Sequence, residues 1–155
     1  MGLWRFKAAD LNDDNLTDLF LISCCGGGVS NGPNDFQPIY THNTVWLSNS
    51  KGLPRSTGQK LGMGSSEAVD LGDLDGDGDL DAFVTHLTHD DETGETMVYD
   101  PNEVWLNDGK GVFTDSGQKL GTQRSYSVAL GDLDGDGDLD AFVGNLSPDE
   151  VWLND

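Results

Sequence analysis

The sequence is poor in several things that would otherwise place it. Of its 155 residues only two are cysteine, Cys24 and Cys25, and they are adjacent. A bond between neighbours is strained, so they set up no disulfide framework, and free thiols or bridges to another chain both remain open. Basic residues number eight against 28 acidic ones, a formal charge of -20. That balance argues against nucleic acid or an anionic membrane surface as a partner, because phosphates would be repelled. No apolar run approaches the roughly 18 residues of a membrane-spanning helix. The opening MGLWRFKAAD has neither an apolar core nor a cleavage site of a signal peptide, so a secretory signal would lie outside this chain. Also missing are a Ser/His/Asp order, a phosphate-cradling glycine loop and a zinc-ligand spacing, so no enzyme is predicted. Cations are the natural partners of what remains. With 35% hydrophobic residues and four tryptophans, the chain has enough core material to fold despite its charge.

What the sequence does have is repetition. GQKLG occurs at Gly58–Gly62 and Gly117–Gly121, and a tryptophan motif occurs three times, as NTVWLSN around Trp46, NEVWLND around Trp105 and DEVWLND around Trp152. DLDGDGDLDAFV runs from Asp73 to Val84 and again from Asp132 to Val143, and DLNDDNLTDLFL at Asp10–Leu21 is a degraded third copy. The distance from tryptophan to the next acidic motif is 27 residues both times, Trp46 to Asp73 and Trp105 to Asp132. From acidic motif to tryptophan it is 36, 32 and 20 residues, so length variation is confined to one stretch per unit, Ser23–Asn43 in the first and Thr85–Asn102 in the second.

Within a unit, short β-branched and aromatic runs such as YSVALGDL, LDAFVGNL, EVWLND and GVFTDSG are punctuated by Gly, Asp and Asn, with no sustained 3.6-residue period. Four antiparallel strands per unit follow, the last two joined by the hairpin signal NDGKG at Asn107–Gly111. A unit of that size is a propeller blade. The fold is therefore predicted to be all-β, three blades making one β-propeller region. Blade 1 would cover residues 1–62, blade 2 residues 63–121 and blade 3 residues 122–155, the last lacking its fourth strand. The two variable stretches are expected to be loops between the second and third strands, on the side away from the acidic motifs.

Five aspartates at alternate positions repel one another unless a cation lies among them, and hard oxygen donors at that spacing suit Ca²⁺, which takes six to eight of them. The predicted ligands are Asp73, Asp75, Asp77, the backbone of Asp79, and Asp81; then Asp132, Asp134, Asp136, Asp138 and Asp140. The weaker first copy supplies Asp10, Asn12, Asp14, the backbone of Leu16, and Asp18. Up to three Ca²⁺ ions result, the first loop binding most weakly because it has fewer carboxylates. An EF-hand begins alike but needs a glutamate at position 12 and flanking helices, whereas this chain has Val84 or Val143 there and flanking strands.

On these residues the chain resembles the FG-GAP/VCBS-type repeat proteins, whose calcium-loaded blades also build the propeller of integrin α subunits. The resemblance spans nearly the whole chain and implies Ca²⁺ held between the first and second strands of each blade. It departs from the family in lacking the letters FG and GAP, with GNLS at Gly144–Ser147 near the expected place, and in carrying Asn12 and Asn15 within the first loop. The implied function is an extracellular or cell-surface calcium-binding scaffold for adhesion, protein or glycan binding, or surface assembly. Two alternatives stand beside it, a structural subunit of a ring or filament, and a non-catalytic propeller part of a secreted carbohydrate-active enzyme.

Trp46, Trp105 and Trp152, one per unit, are read as blade packing. His86 and His89 form an isolated H-x-x-H on a loop, weak evidence for a transition metal. Tyr40, His42, His86 and Tyr99, in or beside the variable stretches, are the candidate partner contacts. Three blades are fewer than the four to eight that usually close a ring, so the chain is expected to continue in a longer polypeptide or to self-associate through exposed blade edges.

Overall fold

A computed structural model describes residues 4–23, 27–32, 35–39, 42–62, 66–90 and 97–155, and contains fifteen strands and no helix among them. In the first unit these are β1 (Trp4–Ala9), β2 (Asp18–Ser23), β3 (Gly27–Gly32), β4 (Asp35–Ile39), β5 (Thr44–Ser48) and β6 (Pro54–Ser56). The second unit has β7 (Ser66–Gly72), β8 (Asp81–His86), β9 (Thr88–Asp90), β10 (Met97–Tyr99), β11 (Asn102–Asn107) and β12 (Phe113–Leu120). The third has β13 (Ser125–Gly131), β14 (Asp140–Asn145) and β15 (Glu150–Trp152). Three antiparallel sheets result, β1-β2-β5-β6, β7-β8-β11-β12 and β13-β14-β15. Their strand numbers, four, four and three, are those expected of the three units.

The variable stretches are not plain loops. Each carries a hairpin of its own, β3 with β4 in register from Gly27↔Ile39, and β9 with β10 from Thr88↔Tyr99. The bulged pairing around Ser30 and Gly32, and a run containing Gly, Asn and Pro, hid the strand alternation from the sequence. His86 likewise ends β8 instead of lying in a loop.

The sheets pack face to face in chain order. Between the first and second lie Phe20, Ile22 and Val45 from one side and Val69, Ala82, Val84, Trp105 and Phe113 from the other. Phe20 and Phe113 meet edge to face at 5.2 Å and 77°, the preferred arrangement for aromatic pairs. Between the second and third, Phe83 and Val104 meet Ala141 and Val143. Asp81–His86 is buried along its whole length because both of its faces are covered, which is why Ala82–Val84 reads as an apolar run without alternation. The same letters DAFV at Asp140–Val143 leave Phe142 45% exposed; neighbours, not composition, set the burial. The first strands line up beside one another: Lys7 Nζ lies 2.8 Å from Asp70 Oδ1, Asp70 Oδ2 accepts the Leu130 amide at 3.0 Å, and the Arg5 guanidinium meets the Glu67 carboxylate.

Antiparallel connection places the loops β1–β2, β7–β8 and β13–β14 at one end of the sheets, together with the turns after β5 and β11. The inserted hairpins leave from the opposite end. Trp105 is buried between the first two sheets and Trp152 packs partly buried on the second core cluster. Trp46 is half-buried. Trp105 and Trp152 thus belong to sheet packing, as their recurrence predicts, while the Trp46 indole donates to the Thr44 hydroxyl within its own strand.

Candidate metal centre

Each acidic motif folds by using its carboxylates on its own backbone. Asp73 at the head of the second loop accepts the amides of Gly76 at 2.8 Å and Gly78 at 3.0 Å, Asp75 accepts that of Asp77 and Asp77 that of Asp79. These side-chain-to-backbone bonds are turns in their own right, and they explain why the motif bends without helix or ladder. The third loop repeats them through Asp132 to Gly135, Asp134 to Asp136 and Asp136 to Asp138. In the first, Asp10 accepts the amides of Asn12, Asp14 and Asn15.

The coil needs two left-handed residues. Gly76 and Gly78 have φ of 79° and 95°, where a Cβ is strained and glycine is not. The first loop reaches the same shape without glycine: Asp13 and Asn15, at the corresponding positions, have φ of 59° and 64°. Asp and Asn are the side chains that best tolerate this region. The degraded copy is therefore a faithful one in backbone.

The ninth position behaves differently from the rest. Asp18, Asp81 and Asp140 are fully buried, and each uses one oxygen on the second residue of its loop and the other on a residue at or just beyond the end of the third strand of its sheet. Asp81 accepts Leu74 N at 2.9 Å and Asn107 N at 2.8 Å. Asp18 accepts Leu11 N and Ser48 N, and Asp140 accepts Leu133 N and Asn154 N. Expected as a ligand alone, this aspartate is also the staple that fixes the loop to the sheet.

Carboxylate oxygens of Asp73, Asp75 and Asp81 come within 4.8 Å of one another, as do those of Asp132, Asp134 and Asp136. No such triplet forms in the first loop among the described residues, but Asn12 Oδ1 there is buried with no hydrogen-bond donor. An all-oxygen donor set of this kind fits a hard divalent cation, and the orphaned amide oxygen marks the first loop as short of one. Repulsion is visible in the protonation equilibria. Burial pushes the Asp81 carboxyl up, with Asp75 and Asp77 adding to it against the two amides. Desolvation and the charges of Asp77, Asp13 and Asp108 push Asp79 up. Asp134 rises as well, since the Asp136 amide is outweighed by desolvation and by Asp136 and Asp140. By contrast the amides of Asn154 and Leu133 hold Asp140 down. Asp10 is also lowered, desolvation being outweighed by the amides of Asn15, Asn12 and Asp14.

The FG-GAP-like repeat family matches residues 10–84 and 93–143, which includes all three acidic motifs. The chain belongs to that family. As an FG-GAP-like repeat protein it has the strand–loop–strand arrangement that its sequence predicts, with the loop of each unit between first and second strands. No curated protein matches the chain.

Of the candidate partner contacts in this FG-GAP-like protein, Tyr40 lies outside the described residues, and Tyr99 of β10 pairs with Thr88 of β9. His42 is half-buried, its Nδ1 2.6 Å from the Gly62 carbonyl oxygen. His86 is only 1% exposed, so it cannot touch a partner as a loop position would allow; its Nε2 is 3.5 Å from Glu103 Oε2. Glu103 also accepts the Trp105 indole N–H at 3.2 Å and Lys119 Nζ at 2.8 Å. Sequence reasoning misses Asn107 and Asn154, two residues after Trp105 and Trp152, whose recurrence is the available signal.

Proposed function

We propose that this protein is a non-catalytic, calcium-stabilised scaffold of extracellular or cell-surface propeller blades, with the inserted hairpins as its recognition end. The observation that supports calcium is the convergence of Asp73, Asp75 and Asp81, and of Asp132, Asp134 and Asp136, where desolvation, with neighbouring charges adding to it, pushes the Asp81 and Asp134 carboxyls up. Those residues, with Asp77, would hold the ion, assisted by the backbone of Asp79 and Asp138. Bound Ca²⁺ would supply only charge neutralisation and crosslinking of the loop. Adhesion, protein binding or glycan binding would then fall to His42 and the hairpins at the other end, since variable segments on a fixed frame are where recognition usually resides.

Thermal melts in Ca²⁺ and in EGTA test the reading. Each site filled at a hundred times its dissociation constant adds about 2.7 kcal/mol to stability, so the calcium melt is expected well above the EGTA melt. Calorimetry should resolve two strong sites and a weaker first one, with Asp73→Ala costing more affinity than Asp10→Ala. Coincident melts with no heat of binding would overturn it.

A second reading, assembly through blade faces, draws on Phe142, Val151 and Leu153, which are 45%, 51% and 57% exposed while Phe83 and Val104 on the second sheet are covered by the next one. A following blade of the same polypeptide or another copy would cover them. Light scattering in Ca²⁺ separates the two.

A further inference from the structure

We propose that the three acidic loops act as one coupled unit, and that Asn107 and Asn154 carry the coupling from each loop to the next. The proposal rests on the calcium reading and goes beyond it.

A file of hydrogen bonds runs unbroken through all three loops. In the first, Asp18 accepts Ser48 N at 2.7 Å and Leu11 N at 3.0 Å. The Leu11 carbonyl then accepts Asn107 Nδ2 at 3.0 Å, across the boundary between first and second sheets. Asn107 N donates to Asp81 at 2.8 Å, and Asp81 accepts Leu74 N at 2.9 Å. The Leu74 carbonyl accepts Asn154 Nδ2 at 2.9 Å, across the second boundary. Finally Asn154 N donates to Asp140 at 2.9 Å, and Asp140 accepts Leu133 N at 2.7 Å.

Three features make this more than adjacency. The first crossing is protected from water, with Asp18 and Asp81 fully buried and Leu11 and Asn107 nearly so, and in such surroundings a broken bond is not replaced by a solvent one; the second ends on the fully buried Asp140 but passes through the half-buried Leu74 and Asn154. Asn107 has no slack, because Nδ2 also donates to the Leu80 carbonyl at 3.2 Å and Oδ1 accepts the Gly111 amide at 3.1 Å. The carbonyls reached are those of Leu11 and Leu74, the second residue of each loop. Each shares its peptide plane with the amide of the third position, Asn12 or Asp75, and lies between two predicted metal ligands. A cation that draws the first and third side chains together turns that plane, and the plane is held by the next sheet.

The first unit shows the same position filled by serine. Ser48 occupies the place of Asn107 and Asn154; its hydroxyl reaches the Thr17 carbonyl of its own loop at 2.6 Å, as Asn107 reaches Leu80. Serine keeps the bond within the unit and is too short for one between units. Asn→Ser thus has a counterpart in the first unit, although at Asn107 it also removes the acceptor of the Gly111 amide.

Contiguity alone does not establish coupling; a thermodynamic cycle does. Calcium is titrated into the full chain and followed at the backbone amide resonances of Gly76 and Gly135, which report the second and third loops separately. Asp134→Asn disables the third loop. It is expected to weaken calcium binding at the second by about fivefold or more, the lower end of usual coupling, and by less than about twofold once Asn154→Ser is also present and that coupling is cut. Asn107→Ser should likewise release the second loop from Asp10→Asn in the first. If Asp134→Asn has the same effect with and without Asn154→Ser, or no effect in either background, the coupling is overturned and the calcium reading stands; absence of any calcium response would remove both. Amide exchange gives a reading without touching the asparagines: Asp134→Asn should speed exchange at Leu74 and Gly78 in Ca²⁺, and unchanged rates would count against the proposal.

Discussion

Glu103 shows how one side chain is shaped by everything that surrounds it. Burial alone would raise its carboxyl, but His86 and Lys119 beside it bring it down to about 2 from an ordinary 4.5. A carboxylate whose folded value is depressed stabilises above its unfolded value, and that contribution is lost as pH falls from about 4.5 towards 2. The shift corresponds to on the order of 3 kcal/mol at neutral pH, reduced to about 2 kcal/mol because water reaches Lys119 and screens that half of the interaction. Glu103→Gln should therefore destabilise the protein at pH 7 by about 2 kcal/mol, with the difference from the parent narrowing as pH drops through the acid range; denaturant titrations at about pH 7, 5 and 3.5 check it. Three acids of the loops have the opposite sign. Asp79, Asp81 and Asp134 are raised, so without metal they weaken the fold at neutral pH and relax as they protonate. In EGTA these groups should make mild acidification less harmful than it is in Ca²⁺. None of this is legible in the sequence, where Glu103 is only a letter of the tryptophan motif and Lys119 lies 16 residues away.

At the scale of loop and strand, the two jobs of the aspartates can be separated. Asp81 holds Leu74 and Asn107 by their amides in the interior, whereas Asp75 is exposed and bonded within its loop. Asp81→Asn would set an amide N–H against a backbone N–H or leave one unsatisfied, at about 1–3 kcal/mol. Measured in EGTA, Asp81→Asn should lower the melting temperature and Asp75→Asn should leave it unchanged or raise it by easing repulsion. Equal effects would mean that the ninth position is a ligand and nothing more. The loops and their first-to-second-strand placement are readable because Asp and Gly alternate locally. The staple is not: its second partner lies 26 residues along the chain, at Asn107, and only folding brings it near. Likewise Asp13 and Asn15 give no hint, from letters alone, that they stand where Gly76 and Gly78 do.

On the scale of the whole molecule, the sheets keep their two ends apart. Turns and acidic loops gather at one and inserted hairpins at the other, so all the length variation of the units falls at the hairpin end. Replacing residues 27–39 and 88–99 by short glycine–serine links should leave the calcium-dependent rise in melting temperature intact while removing any partner binding. Loss of the calcium response would show that the ends communicate. The number of sheets and their strand order are visible in the sequence because each unit repeats its neighbour. The hairpins are not, because they occur in stretches where the units differ.

The hold of Asp73 on two glycine amides has a consequence for how the protein ages. Asp-Gly links isomerise when the glycine nitrogen attacks the preceding side-chain carboxyl, and the second loop has two of them, Asp75-Gly76 and Asp77-Gly78. Both nitrogens point at Asp73 instead. A residue placed to shape the loop thereby shields its neighbours from slow covalent damage, and the second loop should outlast in storage what its sequence, read as a peptide, would suffer.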